Sequence, residues 1–370
     1  MTVRSVAVLG AGHGGLAAAA DLGQRGYEVR LHARREEALE PLRQAGGVTV
    51  EGARRGLVPV ALATTEIDRA VDGADLVMLV VPSLAHRYCA KVLAPLMRPD
   101  LPVLINPGHT GGALGFVQGL RECGYDGPAM TAETVTLSYI CRKTGPAGVA
   151  IFSYVKNLKF AAFPARMSRD MLELVRPIYP EIVPAGSVLE TGFANINAVF
   201  HPPGMLMNAG WIEDTAGDFP FYREGITPAV GRVAGEVDRE RLAVARALDV
   251  PSAPFLENFL AAGLTTPAAA RSGDISLACR QSEPNRTIKA PPRLDHRYMH
   301  EDVGYGLVPF AAFGDLAGVA TPTIDAIVHL ASEIMGIDFA RDGLTLERMG
   351  LAGLAPGALA RFALEGTADG

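Results

Sequence analysis

Apolar positions in the first half of the chain come in short runs of strand length, separated by segments with helical spacing. Residues 3–9 are a valine-rich run that predicts a strand buried on both faces. The alanine-rich stretch 16–24 reads as a helix, and 27–33 as a second strand. Further strands are expected over 57–63, 75–81, 101–106 and 130–135, with a helix opening at Ala113. The stretches 138–142 and 147–154 follow, then a late strand over 157–164, a helix over 169–179 and a short strand near Ile182. Strands alternating with helices predict a doubly wound α/β sheet.

From residue 189 the pattern turns to helical periods with few β-branched runs. One long helix is expected through 191–215, interrupted by His201 and the two prolines after it, with others over 228–248, 252–262 and 322–335. Residues 272–292 are polar and contain proline, so they read as a long loop of the functional or mobile kind. The chain of 370 residues thus divides into an α/β domain, 1–186, and a mostly α-helical domain, 187–370. Two domains also follow from length, at ~150 residues each.

The first strand runs directly into Gly10-Ala-Gly-His13-Gly14-Gly15 and then a helix, the context that gives a GxGxxG pattern its meaning. Gly10 permits a tight turn, Gly12 lets backbone approach a pyrophosphate, and Gly15 lets the helix pack on the strand. The helix N-terminus offers N–H groups to the phosphates. This is a Rossmann-type dinucleotide site; a glycine turn with no nucleotide is the plainer alternative. Where an NAD site has an acid to bind the ribose 2′-hydroxyl, this chain has His32-Ala-Arg34-Arg35. A guanidinium suits a 2′-phosphate, so NADP is expected over NAD. Val81, Pro82 and Ser83 close the strand over 75–81 and belong beside the cofactor, as does His86. The loop Pro107-Gly-His109-Thr-Gly-Gly112 is placed along the nicotinamide or the substrate, or is a plain strand-to-helix turn.

Composition narrows the class without deciding the chemistry. Hydrophobic residues make up 49%, charged residues 20%, and the net charge is -6. No basic stripe points to nucleic acid, and no apolar run is long enough to span a membrane. Cysteines stand alone at 89, 123, 141 and 279, so neither a metal site nor a disulfide framework is expected, and a reducing cytoplasm is.

The candidate for proton transfer is His201, inside the apolar stretch Asn197-Ala-Val-Phe-His201-Pro-Pro-Gly204. Histidine exchanges protons near neutral pH. The residue before a proline is steered from helical angles, so His201 is expected at a kink or a helix start. A second dense stretch, Asp295-His-Arg297-Tyr-Met-His-Glu-Asp302, precedes an apolar helix, and its tyrosines suggest partial burial. An acid and an arginine buried together need a partner or a purpose.

These segments resemble the opine dehydrogenases, the family of octopine and nopaline dehydrogenases. The resemblance runs nearly end to end through the glycine turn, Pro107–Gly112, Tyr139-Ile-Cys141-Arg142, Asn197–Gly204, Glu213-Asp-Thr-Ala-Gly-Asp-Phe219, Tyr222-Arg-Glu-Gly225 and Arg297–Asp302. It implies a Rossmann domain followed by a helical domain, with the site in the cleft between them. The implied reaction is reduction by NADH or NADPH of the imine between an amino acid and a 2-oxo acid. By resemblance His201 is the proton donor and acceptor and Asp302 its carboxylate partner. Arg297 matches the position that grips a substrate carboxylate, and His109, Cys141 and Asn197 match positions near the substrate. Small-molecule partners are expected, with a homodimer an assembly open to the chain. Asp295, His296 and His300 depart from the family, which has mainly aliphatic or small polar residues there. The alternative is a reductase of plain 2-oxo or 3-hydroxy acids; related two-domain folds of that kind often use a lysine as the acid, but Lys156 and Lys159 lie in the first half and none accompanies Asn195 or Asn197, which favours the histidine. A non-catalytic NADP-binding protein would be expected to lose His201 or Asp302.

Overall fold

The computed structural model describes residues 2–367. Its strands are β1 (Ser5–Leu9), β2 (Glu28–His32), β3 (Val48–Gly52), β4 (Gly56–Val58), β5 (Leu62–Thr64), β6 (Leu76–Leu79), β7 (Val103–Ile105), β8 (Thr131–Thr134), β9 (Tyr139–Gly145), β10 (Gly148–Tyr154), β11 (Leu158–Phe163) and β12 (Ile182–Pro184). The main sheet has the order β12-β11-β8-β7-β6-β1-β2-β5. Its central strands are parallel, and the direction reverses at β11, which pairs antiparallel with β8. β1 and β6 are buried at every position, as strands covered on both faces must be.

A second sheet, ordered β4-β3-β10-β9, lies outside what the hydrophobic pattern predicts. The single strand expected over 57–63 is two strands in two sheets. β4 pairs with β3 and β5 pairs with β2. Pro59 separates them, since it has no N–H for a continuous ladder.

The chain forms two compact units. The first comprises residues up to Gly108, Gly112–Thr191 and the segment from Arg361; the second comprises His109–Gly111 and Gly192–Ala360. The terminal segment joins the first unit because the Phe362 ring packs 5.4 Å from that of Phe163 and Arg121 donates to the Gly366 carbonyl at 2.8 Å. Helical periodicity cannot reveal where a last short helix docks.

The second unit is helical. Its longest helix, Pro228–Ala247, starts with Thr227 capping the Val230 N–H and Pro228 in the first turn. Three buried charged residues on it, Asp238, Glu240 and Arg241, organise the unit. Glu240 accepts the Thr323 and Ile324 N–H groups at 2.9 Å each, closing the start of helix Pro322–Met335. Arg241 pairs with Asp238 at 2.6 Å and donates to the Phe193 and Ala253 carbonyls. In the core Phe193 stacks on Phe310 and packs tilted against Phe313, each ring worth ~1.5–3 kcal/mol of burial.

Two further expectations need correction. The helix expected through 191–215 is three: Val188–Phe193, Asn197–Leu206 and Ala209–Thr215. The breaks fall at 194–196 and 207–208, while Pro202 and Pro203 lie inside the middle helix. The stretch 272–292 holds helix Ile275–Arg280, started by Asp274 accepting the Leu277 N–H at 3.1 Å and anchored by buried Ile275, Ala278 and Cys279. Six residues are too few for periodicity to stand out from a polar surround. No helix among the described residues is long and apolar enough to cross a membrane.

Candidate active site

His201 occupies the second turn of helix Asn197–Leu206. Pro202 and Pro203 remove two donors there, so the carbonyls four residues back receive no helical hydrogen bond. Asn208 secures the far end, its side chain donating to the Gly204 carbonyl at 2.8 Å and the Gly225 carbonyl at 2.9 Å. That second bond ties the helix to the π-helical turn Phe221–Gly225. A Cβ at position 204 would meet Phe221 Cζ at 2.6 Å, so only glycine admits this approach. Asp302 ends helix Arg297–Asp302 and leads into another π-helical turn, Val303–Leu307. Such turns re-aim side chains and recur at functional sites.

The result is a buried chain of contacts. His201 Nδ1 lies 2.8 Å from Asp302 Oδ2, and Nε2 lies 3.0 Å from the Tyr222 hydroxyl. That hydroxyl lies 2.9 Å from the hydroxyl of Tyr298, whose ring stacks on the imidazole at 3.7 Å. His201 is 5% exposed and Asp302 4%. An ionised carboxylate only accepts, so Nδ1 carries a proton and donates to Asp302. Burial, with Tyr298 close by, pushes the Tyr222 phenol well above its ordinary range, so it stays protonated. It can donate to Nε2 of a neutral imidazole or accept from an imidazolium.

His109 belongs to the same unit and is 3% exposed, with φ of 58°. Neither ring nitrogen has a hydrogen-bond partner among the described residues. Burial depresses its pKa, reinforced by Arg297 and His201 and opposed by Glu301 and Asp302. Its neighbour Thr110 accepts from the Asn195 amide at 3.1 Å and donates to the Gly192 carbonyl at 3.3 Å, which anchors the 109–111 segment. The Arg297 Nε donates to Glu301 at 2.7 Å, with side chains 56% and 3% exposed. The terminal guanidinium nitrogens make no hydrogen bond among the described residues, leaving an edge suited to a planar carboxylate. Burial opposes the charge of Arg297, but Glu301 and Asp302 outweigh it and raise the pKa. The nearby His296 is pushed down to about 4 by burial and by the charges of Arg297 and His201. Asn197 is half-buried, one turn before His201, and its N–H donates to Asn195 Oδ1 at 3.2 Å.

The remaining sequence candidates lie in the first unit. β1 ends at the glycine turn, and helix His13–Gln24 begins there without a side-chain cap. A Cβ at position 15 would stand 1.8 Å from the Gly10 carbonyl oxygen, whereas one at position 12 would meet nothing within 4 Å. Glycine is thus needed for packing at 15, and the backbone at 12 faces open space, which fits a pyrophosphate. His13 Nδ1 accepts the Lys143 N–H at 2.8 Å. Val81 packs at Gly10, Pro82 is exposed and Ser83 is buried. Arg34 and Arg35 are exposed beyond the end of β2, with no carboxylate partner among the described residues, and the Arg34 guanidinium lies 5.5 Å over the Tyr88 ring. Cys141 sits half-buried in β9, and burial pushes its thiol up to about 11.

Sequence reasoning assigned no role to Tyr222, although it stands in the aromatic run Phe219-Pro-Phe-Tyr222. It also passed over Glu133, an acid in the otherwise uncharged β8. Glu133 is fully buried, accepts the Ala113 N–H at 2.8 Å and the Thr191 hydroxyl at 2.5 Å, and is pushed up to about 7 by burial against those two bonds. Ala113 follows the residue at which the chain re-enters the first unit, and Thr191 is the last residue before it leaves that unit again.

The glycine turn on a parallel sheet and the histidine–aspartate pair in a helical unit define a dinucleotide-dependent oxidoreductase. Residues 184–335 match the family model described as NAD/NADP octopine/nopaline dehydrogenase, alpha-helical domain. Residues 5–110 match that of the NAD-dependent glycerol-3-phosphate dehydrogenase N-terminus. An opine dehydrogenase from Arthrobacter sp. (strain 1C) is 36% identical over 95% of this chain and 96% of its own. An octopine dehydrogenase structure with NADH and agmatine superposes with a TM-score of 0.78 at 20% identity, covering 96% and 97% of the two chains. NADP+-bound yersinopine dehydrogenase gives 0.73 at 15%, covering 98% of each. The chain belongs to the opine dehydrogenase family. It is an NAD(P)-dependent oxidoreductase acting on CH–NH bonds.

Proposed function

We propose that the protein reduces the imine formed from an amino acid, or another amine, and a 2-oxo acid, with NADPH preferred and His201 as the general acid–base. The observation that carries this reading is His201 itself: buried, its Nδ1 on Asp302 and its Nε2 on a phenol held protonated. When bound, the reduced nicotinamide supplies the hydride. Electron density then builds on the nitrogen attached to the reacting carbon, and an imidazolium stabilises and protonates it. Asp302, on Nδ1, fixes the tautomer and orients the ring. Tyr222 lies on the same nitrogen that must release the proton, so the phenol passes it on or yields its place to the substrate. Arg297 offers a forked edge, and His109 the single unengaged N–H of a neutral imidazole, to the oxo-acid carboxylate. Asn197 and Cys141 contribute to the substrate surroundings.

Arg34 and Arg35 support NADPH over NADH, because two guanidinium groups without carboxylate partners suit a 2′-phosphate. His13, Gly14 and the Val81-Pro82-Ser83 turn complete the cofactor surroundings. The free cysteines suit a reducing cytoplasm. The test is a matrix of amines against 2-oxo acids, following NADPH absorbance. Oxidation should require both organic substrates, and kcat/KM should favour NADPH. Equal rates with a 2-oxo acid alone would make the protein a plain hydroxyacid dehydrogenase.

A further inference from the structure

The first unit holds a cavity of about 630 Å³ that the chemistry above does not use. Its walls are mainly apolar, with Val155, Leu158, Ile178 and Ile182 among them, together with the rings of Tyr154 and Tyr179. Phe152 stands at its edge, 61% exposed, where the pairing of β10 with β9 is irregular. Three cations line it, Arg25, Arg54 and Lys156, against a single acid, Glu181. Arg54 is held by Asp21 at 2.9 Å and Arg25 lies 3.6 Å from the same carboxylate. Lys156 is exposed and has no ion-pair partner among the described residues.

We propose that this cavity binds a small amphipathic carboxylate, an aromatic or branched apolar body with one anionic end, and that its occupancy is felt at the 107–112 loop. The apolar walls take the body, and Lys156, the lining cation without an ion-pair partner among the described residues, takes the carboxylate. A phosphate is a poorer fit, because no helix N-terminus opens into the cavity to cradle it. The site is separate from the glycine turn. Arg25 follows the far end of helix His13–Gln24, about 18 Å away at 1.5 Å per residue.

A hydrogen-bonded chain leads inward from the wall. The Tyr154 hydroxyl donates to Asp21 at 2.8 Å, and Asp21 also accepts from Tyr139 at 3.1 Å. The Tyr139 and Tyr179 hydroxyls lie 3.0 Å apart, and Tyr179 accepts from the Asn106 amide at 3.3 Å. Asn106 Oδ1 gathers the Thr134 hydroxyl at 3.0 Å and the Ser138 N–H at 3.0 Å. Asn106 immediately precedes Pro107, so a ligand that shifts Tyr179 bears on the base of the loop that carries His109. The coupling rests on the function proposed above; the binding site does not.

The experiment is calorimetric titration of the full chain with 4-phenylbutanoate, with and without saturating NADPH, followed by oxo-acid kinetics. One saturable site is expected, unmoved by NADPH. Its affinity should fall about tenfold in Lys156→Glu and for 4-phenylbutanamide, the loss of one charge-assisted contact. Binding should change the oxo-acid KM in the wild type and leave it unchanged in Tyr179→Phe, which keeps the ring in the wall. No saturable binding, displacement by NADPH, or equal affinity in Lys156→Glu overturns the site. Binding with an unaltered wild-type KM overturns the coupling. Self-association that Phe152→Ser abolishes, without carboxylate binding, would assign the face to a second copy of the chain. An enzyme inactive with every amine and oxo acid, yet binding 4-phenylbutanoate as described, would fail the function and keep the site.

Discussion

His201 and His109 are both histidines of the helical unit and both nearly inaccessible, yet their surroundings are opposite. His201 has a partner on each nitrogen and a phenol ring stacked on its face. His109 is held by its backbone, in a left-handed conformation, and its ring nitrogens have no protein partner among the described residues. A buried polar group without a partner costs ~1–3 kcal/mol. Evolution tolerates such a cost where the group has work to do. The contrast separates two kinds of site residue. A proton-transfer group must be fixed in tautomer and orientation before substrate arrives, whereas a recognition group must keep its hydrogen-bonding capacity for the substrate.

The largest effect should come from the partnered histidine. His201→Ala should lower kcat ~10²–10⁴-fold, the usual share of general acid–base catalysis, with NADPH binding by fluorescence titration unchanged. Asp302→Asn should act in the same direction, and the double variant should be little worse than the poorer single one, since the two form one unit. Near-full activity in His201→Ala would reduce it to a core residue and dissolve the contrast.

Replacing the unpartnered histidine should give a different signature. His109→Leu should raise the oxo-acid KM by about tenfold or more, with a smaller change in kcat, and Arg297→Lys should do likewise by losing the forked geometry. An unchanged KM in both would leave these two residues with structural roles only. Tyr222→Phe lies between the two cases. It removes the phenol from Nε2 while keeping the ring, so a fall in kcat of roughly tenfold is expected if the phenol conducts the proton. A wild-type kcat would show that substrate simply displaces it.

The same contrast explains what could be read before folding. The glycine turn and the strands around it are local, so apolar runs and one short motif suffice to place them. His201 stood out because prolines follow it, although the inference that they break the helix failed. The helix persists because Asn208 and the glycine at 204 lock its far end to the turn that carries Tyr222. The dyad joins residues 101 positions apart, and only a resemblance to known motifs, not periodicity, could pair them. Tyr222, Glu133 and the second sheet were hidden for the same reason. Their significance lies in long-range contacts, and residue type alone does not announce it. The assignment of His109–Gly111 to the helical unit was likewise illegible in a loop that reads equally as a lining of the nicotinamide or substrate and as a strand-to-helix turn.

The smallest effect is thermodynamic and bears on His109 alone. Its pKa in the folded protein is lowered from 6.5, by burial first. Below that value the unfolded chain binds a proton that the folded chain refuses, so stability rises with pH up to about 6.5 and is lost as pH falls. One such group contributes a slope of at most ~1.4 kcal/mol per pH unit. Glu133 contributes with the opposite sign. Its pKa is raised from 4.5 to about 7, so the folded chain holds the extra proton there and stability declines as pH climbs through that window. The two slopes partly cancel in the wild type, which makes a single stability profile uninformative. The difference between wild type and His109→Leu cancels Glu133 and His296 alike and isolates His109. Urea unfolding at intervals from pH 5 to pH 8 should show the variant gaining on the wild type as pH falls below 6.5. Near pH 7.5 it should be equal or slightly more stable, since an apolar side chain there leaves no polar atom unsatisfied. A pH-independent difference would mean that His109 finds a proton acceptor in the folded chain, and that its contrast with His201 is one of degree.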